Sequence, residues 1–210
     1  WSASVAVVLV SNIIAGTEPI TLSATLVGVT SLIFIAKGNV VGQFLTVAFS
    51  VLYAITSYRM RYYGEMITYL GMTLPSAVFA AISWIRHPYK KGEVKISKMT
   101  PLKAVVMVLF TSAATALFYF IMKALDTPNL AVSTLSITTS FLASYLTFIR
   151  NSYYAVAYAV NDIVLIILWI LAAIGDISYL PMIFCFAMFL INDIYGFISW
   201  KKREISQGLK

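Results

Sequence analysis

Leu52-Tyr53 … Ile82-Ser83-Trp84-Ile85-Arg86 and Leu168-Trp169 … Ile198-Ser199-Trp200-Lys201-Lys202 are the stretches on which the reading of this 210-residue chain turns. Each closes an apolar run with Ile-Ser-Trp and then basic residues. Tyr53 and Trp84 stand 31 residues apart, as do Trp169 and Trp200, and equivalent positions of the two stretches are offset by 116. A three-helix unit is therefore read as occurring twice. In a hydrophobic chain such a repeat points to a membrane transporter, because duplicated bundles can rock against each other around a site at their interface.

Composition places the chain in a bilayer. It is 60% hydrophobic and only 11% charged, with a mean hydropathy of +0.88; a soluble surface needs many more charges. Uncharged runs of about 20 residues match the length that crosses ~30 Å of hydrocarbon as helix, and the alternating pattern of a membrane β-barrel is absent. Seven helices are predicted, at 20–36, 40–57, 64–85, 101–123, 130–149, 153–174 and 178–200. The fold class expected is an all-α integral membrane protein with two parallel three-helix repeats joined by a linker helix. An apolar segment, 1–16, precedes the first repeat (17–86); it is read either as interfacial or as the end of a further helix. A polar loop and linker helix (87–127), the second repeat (128–200) and a basic tail (201–210) follow.

Alternating seven helices puts Lys37, Arg86, Lys90, Lys91, Lys95, Lys98, Lys103, Arg150, Lys201, Lys202, Arg203 and Lys210 on one side and Arg59, Arg61 and Lys123 on the other. That bias predicts an outside N-terminus and a cytoplasmic C-terminus. The net charge of +7 then follows from topology and anionic lipid, without nucleic-acid binding. No basic leader precedes the first apolar run, so no signal peptide is recognised. A single cysteine, Cys185, forbids an internal disulfide, and the one histidine, His87, sits in the basic loop and reads as solvated.

Polar side chains inside the spans mark the candidate site, since hydrocarbon offers them no partners. On the second helix Asn39, Gln43, Thr46, Ser50, Tyr53 and Ser57 fall within an arc of about 80°. They serve either as interhelical glue or as a site, and Gln43, central and costly to bury idle, favours function. On the sixth, Tyr154, Tyr158, Asn161, Leu165 and Trp169 set aromatic plates around one carboxamide, chemistry that suits a flat heteroaromatic ligand with a polar edge. Asn192 repeats the lone amide on the last helix, where Gly196 allows close approach. Thr134, Thr138, Phe141 and Tyr145 give the fifth a mixed face. The intramembrane carboxylates are read as Asp162 and Asp193. The expected substrate-binding set is Trp169, Asn161, Asn192, Gln43, Tyr158, Tyr53, Thr138 and Tyr154. Phosphate loops, zinc spacings and nucleophile triads are missing, so no enzyme activity, cofactor or metal is expected.

From about residue 20 onward the chain resembles the PnuC family of bacterial vitamin transporters. The resemblance is carried by Tyr62-Tyr63-Gly64-Glu65-Met66-Ile67 leading to Trp84, Thr138-Thr139-Ser140-Phe141, Asn161 with Trp169, and Asn192-Asp193-Ile194-Tyr195-Gly196 with Trp200. It implies facilitated diffusion of nicotinamide riboside, or in other members riboflavin or thiamine, across the inner membrane, with cytoplasmic phosphorylation trapping the vitamin. A layout similar to the SWEET sugar transporters and a homotrimer are also implied. Many members carry tryptophans seven and four positions before the sixth-helix asparagine; here Tyr154, which can stack, and Ala157, which cannot, hold those places. Trp169 and Tyr158 are expected to stack on the ring, with Asn161, Asn192 and Gln43 bonding to amide and hydroxyls. The rival readings are a carrier of another vitamin or one coupled to a cation through Asp162, and a non-transporting receptor or scaffold.

Overall fold

A computed structural model describes residues 1–90 and 92–209; Lys91 and Lys210, both assigned above to the basic side, lie outside the described residues. The described chain is helical apart from two isolated bridges, Asn39 with Glu93 and Pro88 with Val94. Its elements are α1 (Ser2–Ala15), α2 (Pro19–Ala36), α3 (Val41–Arg59), α4 (Tyr63–Thr68), α5 (Leu74–Arg86), α6 (Pro101–Ala124), α7 (Leu130–Phe148), α8 (Tyr154–Gly175) and α9 (Leu180–Ser206). With α4 and α5 counted as one span, seven are long and apolar enough to cross a membrane.

Helix starts follow local chemistry. Pro19 and Pro101 each occupy the first turn, where a missing N–H costs nothing, and the Thr100 hydroxyl caps α6 by accepting from the Lys103 amide. Between α4 and α5, Tyr69–Thr73 forms a π-helical turn. Pro75 cannot donate, and its ring would collide with the carbonyl of Gly71 in a regular helix; the widened turn resolves that conflict. The last helix runs on through Ser206, further than the predicted end at 200. Its added turn is held by Lys201 to Glu204 at 2.8 Å and by Arg203, whose guanidinium donates to the Ala36 carbonyl at 3.0 Å; cations there also suit the helix dipole.

The two repeats are α2–α3–α4/α5 and α7–α8–α9, and each lends its third helix to the other. α9 packs on α2, and α5 on α7. Trp200 Nε1 donates to the Ile35 carbonyl at 2.8 Å, and Trp84 Nε1 donates to the Thr147 carbonyl at 3.0 Å. The same exchange made twice in reverse is the signature of a pseudo-two-fold relation. Because Trp84 and Trp200 themselves touch, with ring centroids 5.4 Å apart, α5 and α9 end on the same side and the repeats run parallel. α6 connects them from the periphery: only 17% of its span is buried, against 39–44% for the other six.

The polar segment read as a linker is an ordered strap across the basic end. Val94 N–H donates to Gly38 O at 3.0 Å and Ser97 N–H to Arg150 O at 3.0 Å, so one segment ties the ends of α2 and α7. Gln207 clamps it from α9, accepting from Ile96 N–H at 2.8 Å and donating to Val94 O at 3.1 Å. Gly38 and Arg150 end their helices with positive φ, 68° and 59°. Glycine takes that conformation freely; Arg150 is held in it by bonds to Lys95 O at 3.0 Å and the Ser83 hydroxyl at 2.5 Å.

α1, left open above between an interfacial position and the end of another helix, lies antiparallel along α2. Asn12 Nδ2 reaches Thr25 Oγ1 at 3.4 Å and Trp1 Nε1 reaches Thr30 Oγ1 at 3.3 Å. Ser4, Val8 and Asn12, one turn apart, form its buried face.

Candidate functional site

A cavity opens between the repeats at the middle of the bundle. All six repeat helices line it and neither α1 nor α6 does: Ser31, Leu32 and Ile35 from α2; Gln43, Thr46 and Phe49 from α3; Tyr69 from the π-turn with Ser76 and Ala80 from α5; Ser140, Ser144 and Thr147 from α7; Tyr154, Tyr158, Asn161 and Asp162 from α8; Phe186, Phe189 and Asp193 from α9. Its volume is about 60 Å³, space for a few waters. Sites that hold small ligands measure on the order of 300–1,000 Å³, so a ligand must widen it.

Pairs of repeat-equivalent residues close the cavity at either end. Toward the basic end stand Trp84 and Trp200, with Tyr154 packed on Trp200 at 4.7 Å. Toward the other end Trp169 Nε1 donates to the Tyr53 hydroxyl at 3.1 Å, and Tyr69 packs on Tyr53 at 4.1 Å. Tyr62 and Tyr179 cover Trp169 from outside, at 4.9 and 5.7 Å. Burial pushes the Tyr62 phenol above its usual range, with Tyr179 and Glu65 adding to the effect, so it stays a neutral donor. Each axial pair thus joins one repeat to the other along the cavity's axis.

The expected site residues divide between cavity and packing. Gln43, Tyr158, Asn161 and Tyr154 line the cavity together. Gln43 is 2% exposed and its Nε2 makes no hydrogen bond among the described residues. The Asn161 carbonyl oxygen accepts from Thr139 at 2.8 Å, which orients the carboxamide, and the Tyr158 hydroxyl pairs with Ser144 at 3.1 Å. Trp169 and Tyr53 instead spend their polar atoms on each other. Thr138 turns to the linker helix, bonding Thr115 at 2.9 Å. Asn192 faces α1, donating to the Ser4 hydroxyl at 3.2 Å and to Met188 O at 2.8 Å. One residue on, about 100° around the helix, Asp193 reaches the cavity. Of the α3 stripe, Asn39 caps the Val41 amide at 2.9 Å and Ser50 donates to Thr46 O at 2.8 Å. Gly196 serves close packing, with Tyr154 OH 3.1 Å from where a Cβ would sit.

Several lining groups were not singled out from sequence. Tyr69 comes from a π-turn that a regular helical wheel misplaces, and Ser144 is an ordinary small residue without a sequence signal of its own; Ser140 carried part of the family resemblance without being read as a site residue. Glu65 is a third carboxylate within the spans, beside Asp162 and Asp193. It is 1% exposed, and neither of its side-chain oxygens has a hydrogen-bond partner among the described residues. Its place two residues into the predicted third helix, 64–85, was the available signal. Among the described residues no group of three or more His, Cys, Asp or Glu is placed to hold a metal ion.

Comparison with known proteins agrees with this architecture. The nicotinamide riboside transporter PnuC of Neisseria mucosa is 25% identical over 186 residues, covering 85% of this chain and 70% of the relative. The nicotinamide riboside transporter PnuC of Haemophilus influenzae is 23% identical over 179 residues, covering 83% and 76%. The crystal structure of the Vitamin B3 transporter PnuC superposes with a TM-score of 0.82 at 22% identity, over 95% of this chain and 88% of that one, a likeness of fold. The model of the family described as nicotinamide mononucleotide transporter matches residues 18–202. This chain, with its two three-helix repeats around a central cavity, is a membrane transport protein belonging to that family, the PnuC-type carriers.

Proposed function

We propose that the chain carries nicotinamide riboside across the bacterial cytoplasmic membrane by facilitated diffusion. The observation that carries this reading is the cavity between the repeats, where Gln43 and Asn161 offer carboxamides beside the rings of Tyr69, Tyr158 and Phe186. A carboxamide both donates and accepts, which matches the amide of the vitamin ring and the hydroxyls of ribose, and the aromatic walls suit a flat heterocycle. The unpaired Gln43 Nε2 gains a partner when such a ligand arrives, which offsets its cost of burial.

Charge selects among related substrates. A mononucleotide carries a phosphate, and buried phosphates are met by Arg or Lys. Among the described residues none lines this cavity, whereas Asp162 and Asp193 do; the charge of the riboside suits that lining and the phosphorylated form is repelled. Phosphorylation after uptake would then trap the vitamin inside.

The two axial pairs are the natural gates. Parting Tyr53 from Trp169 opens the cavity to one side, and parting Trp84 from Trp200 to the other, as the repeats rock in alternating access. The excess of Lys and Arg at the end bearing Trp84 and Trp200 supports a cytoplasmic position for that end. The chain's partners are its vitamin nucleoside, the lipid bilayer and, by family analogy, two further copies in a trimer.

Calorimetric titration of the purified chain with nicotinamide riboside, nicotinamide mononucleotide, thiamine and riboflavin tests the assignment. Saturable binding of the riboside alone is expected. Preference for thiamine or riboflavin would replace the substrate, and no binding of any of them would favour a structural role for the polar residues.

A further inference from the structure

Asp162 on α8 and Asp193 on α9 both line the cavity, 2% and 3% exposed, close enough for each carboxyl group to act on the other. Two carboxylates so placed resist being ionised together. The second oxygen of Asp162, Oδ2, has no partner among the described residues. The Gln43 Nε2, also buried and unpartnered in the same cavity, is an independent sign that a ligand belongs there.

Among the described residues no cation faces the pair. The titratable groups facing the pair are the phenols of Tyr69 from the π-turn and of Tyr154 and Tyr158 from α8, with the Cys185 thiol of α9. None of these carries positive charge. From α2, α3 and α7 come only uncharged groups, the polar ones being Ser31, Gln43, Thr46, Ser140, Ser144 and Thr147. Arg203 is spent at the basic end on Ala36 O and the Ser199 side chain, with Glu93 at 3.4 Å. Glu65, close enough to act on Tyr69, adds negative charge. Negative charge on a buried carboxylate pair is costly until a cation joins it.

Resting on the nicotinamide riboside reading, we infer that the Asp162–Asp193 pair is the counter-ion for the positively charged pyridinium ring and makes the carrier selective for oxidised over reduced ribosides. Nicotinamide riboside carries a ring cation that its dihydropyridine form lacks, while shape, amide and ribose are nearly the same. Stacking and amide bonds serve both forms; the pair distinguishes them. Acid that protonates the pair removes its charge, weakening the cationic ligand and leaving the neutral one unaffected.

The experiment titrates the full chain in detergent with oxidised and with reduced nicotinamide riboside, at acidic and at neutral pH, and repeats both with Asp162→Asn and Asp193→Asn. The wild type is expected to prefer the oxidised form by more than about tenfold at neutral pH. Acid should shrink that ratio, and either substitution should abolish most of it. A loss of packing alone would weaken both ligands together and leave the ratio standing, which would overturn the inference. Equal affinity of the wild type for the two forms would also overturn it while leaving the transport reading intact. Failure of both forms to bind the wild type would instead bring down the substrate assignment itself. Should the variants not survive purification, the wild-type ratio and its response to acid decide the matter alone.

Discussion

Tyr53 and Trp169 occupy the same position in the two repeats, and the indole of one donates to the hydroxyl of the other at 3.1 Å. Residues related by an approximate two-fold meet only where they lie on its axis. Trp84 and Trp200, the other such pair, touch at the opposite end of the bundle. The axis, the cavity and the proposed path of the substrate are therefore one line, and closing it at both ends requires only residues already related by the repeat.

Tyr53→Phe removes the bond across the far end while keeping the ring packed. A stability loss of about 1 kcal/mol is expected, together with faster exchange of labelled riboside, because that gate then parts more easily. Thermal unfolding and proteoliposome exchange, measured on the same preparation, check both halves.

Trp84→Ala and Trp200→Ala empty a core position at the basic end, where both rings are at most 2% exposed and each bonds the opposite repeat. Truncating a buried tryptophan costs about 3–5 kcal/mol, enough to dissolve the closed end. The expected result is a lowered melting temperature for either variant. A melting curve that matches the wild type would contradict the packing described here.

Much of this was legible in the sequence, and the reasons are physical. Seven apolar runs, the basic residues at their ends and the Ile-Ser-Trp repeat at a fixed offset are local patterns dictated by lipid and duplication. Gln43 and Asn161 were found because a lone amide in hydrocarbon must be used. Asn192 met the same criterion, yet α1 covers its face, and no periodicity announces which helix lies against which stripe. Trp169 looked like a stacking plate because it shares a helix face with Tyr158 and Asn161; its mate Tyr53 supplied the alternative. Tyr69 depended on the π-turn that Pro75 provokes, a change of helical phase that an even wheel does not carry.

Gln43→Leu separates binding from packing. Its amide nitrogen has no partner among the described residues, so an apolar replacement of similar size should leave the melting temperature unchanged or raise it. Loss of one ligand hydrogen bond, worth about 1 kcal/mol or more when desolvated, should weaken riboside binding by around tenfold. A variant that unfolds while binding normally would assign Gln43 to the scaffold.

Gly42→Ala tests the hairpin of α2 and α3. A Cβ there would stand 2.6 Å from the Ile35 backbone nitrogen and 2.9 Å from the Ser31 carbonyl. Backbone cannot swing aside as a side chain can, so a loss of about 1–3 kcal/mol is expected, read as a lowered melting temperature with riboside affinity reduced in proportion to the misplacement of Gln43.

Orientation is open to thiol labelling. Cys185 is buried, so a Cys185→Ala background carrying either Lys123→Cys or Ser206→Cys presents one exposed thiol at a chosen end. An impermeant maleimide should label the first in intact cells and the second only after permeabilisation. The reverse pattern would invert the topology.

Uptake of labelled nicotinamide riboside into proteoliposomes, compared between the wild type and Asn161→Leu at equal folded protein, tests the central claim most directly. Saturable uptake by the wild type that falls to the level of protein-free liposomes with Asn161→Leu is the predicted result. Wild-type vesicles no faster than protein-free ones, or an Asn161→Leu variant as fast as the wild type, would contradict a transport site in the cavity between the repeats.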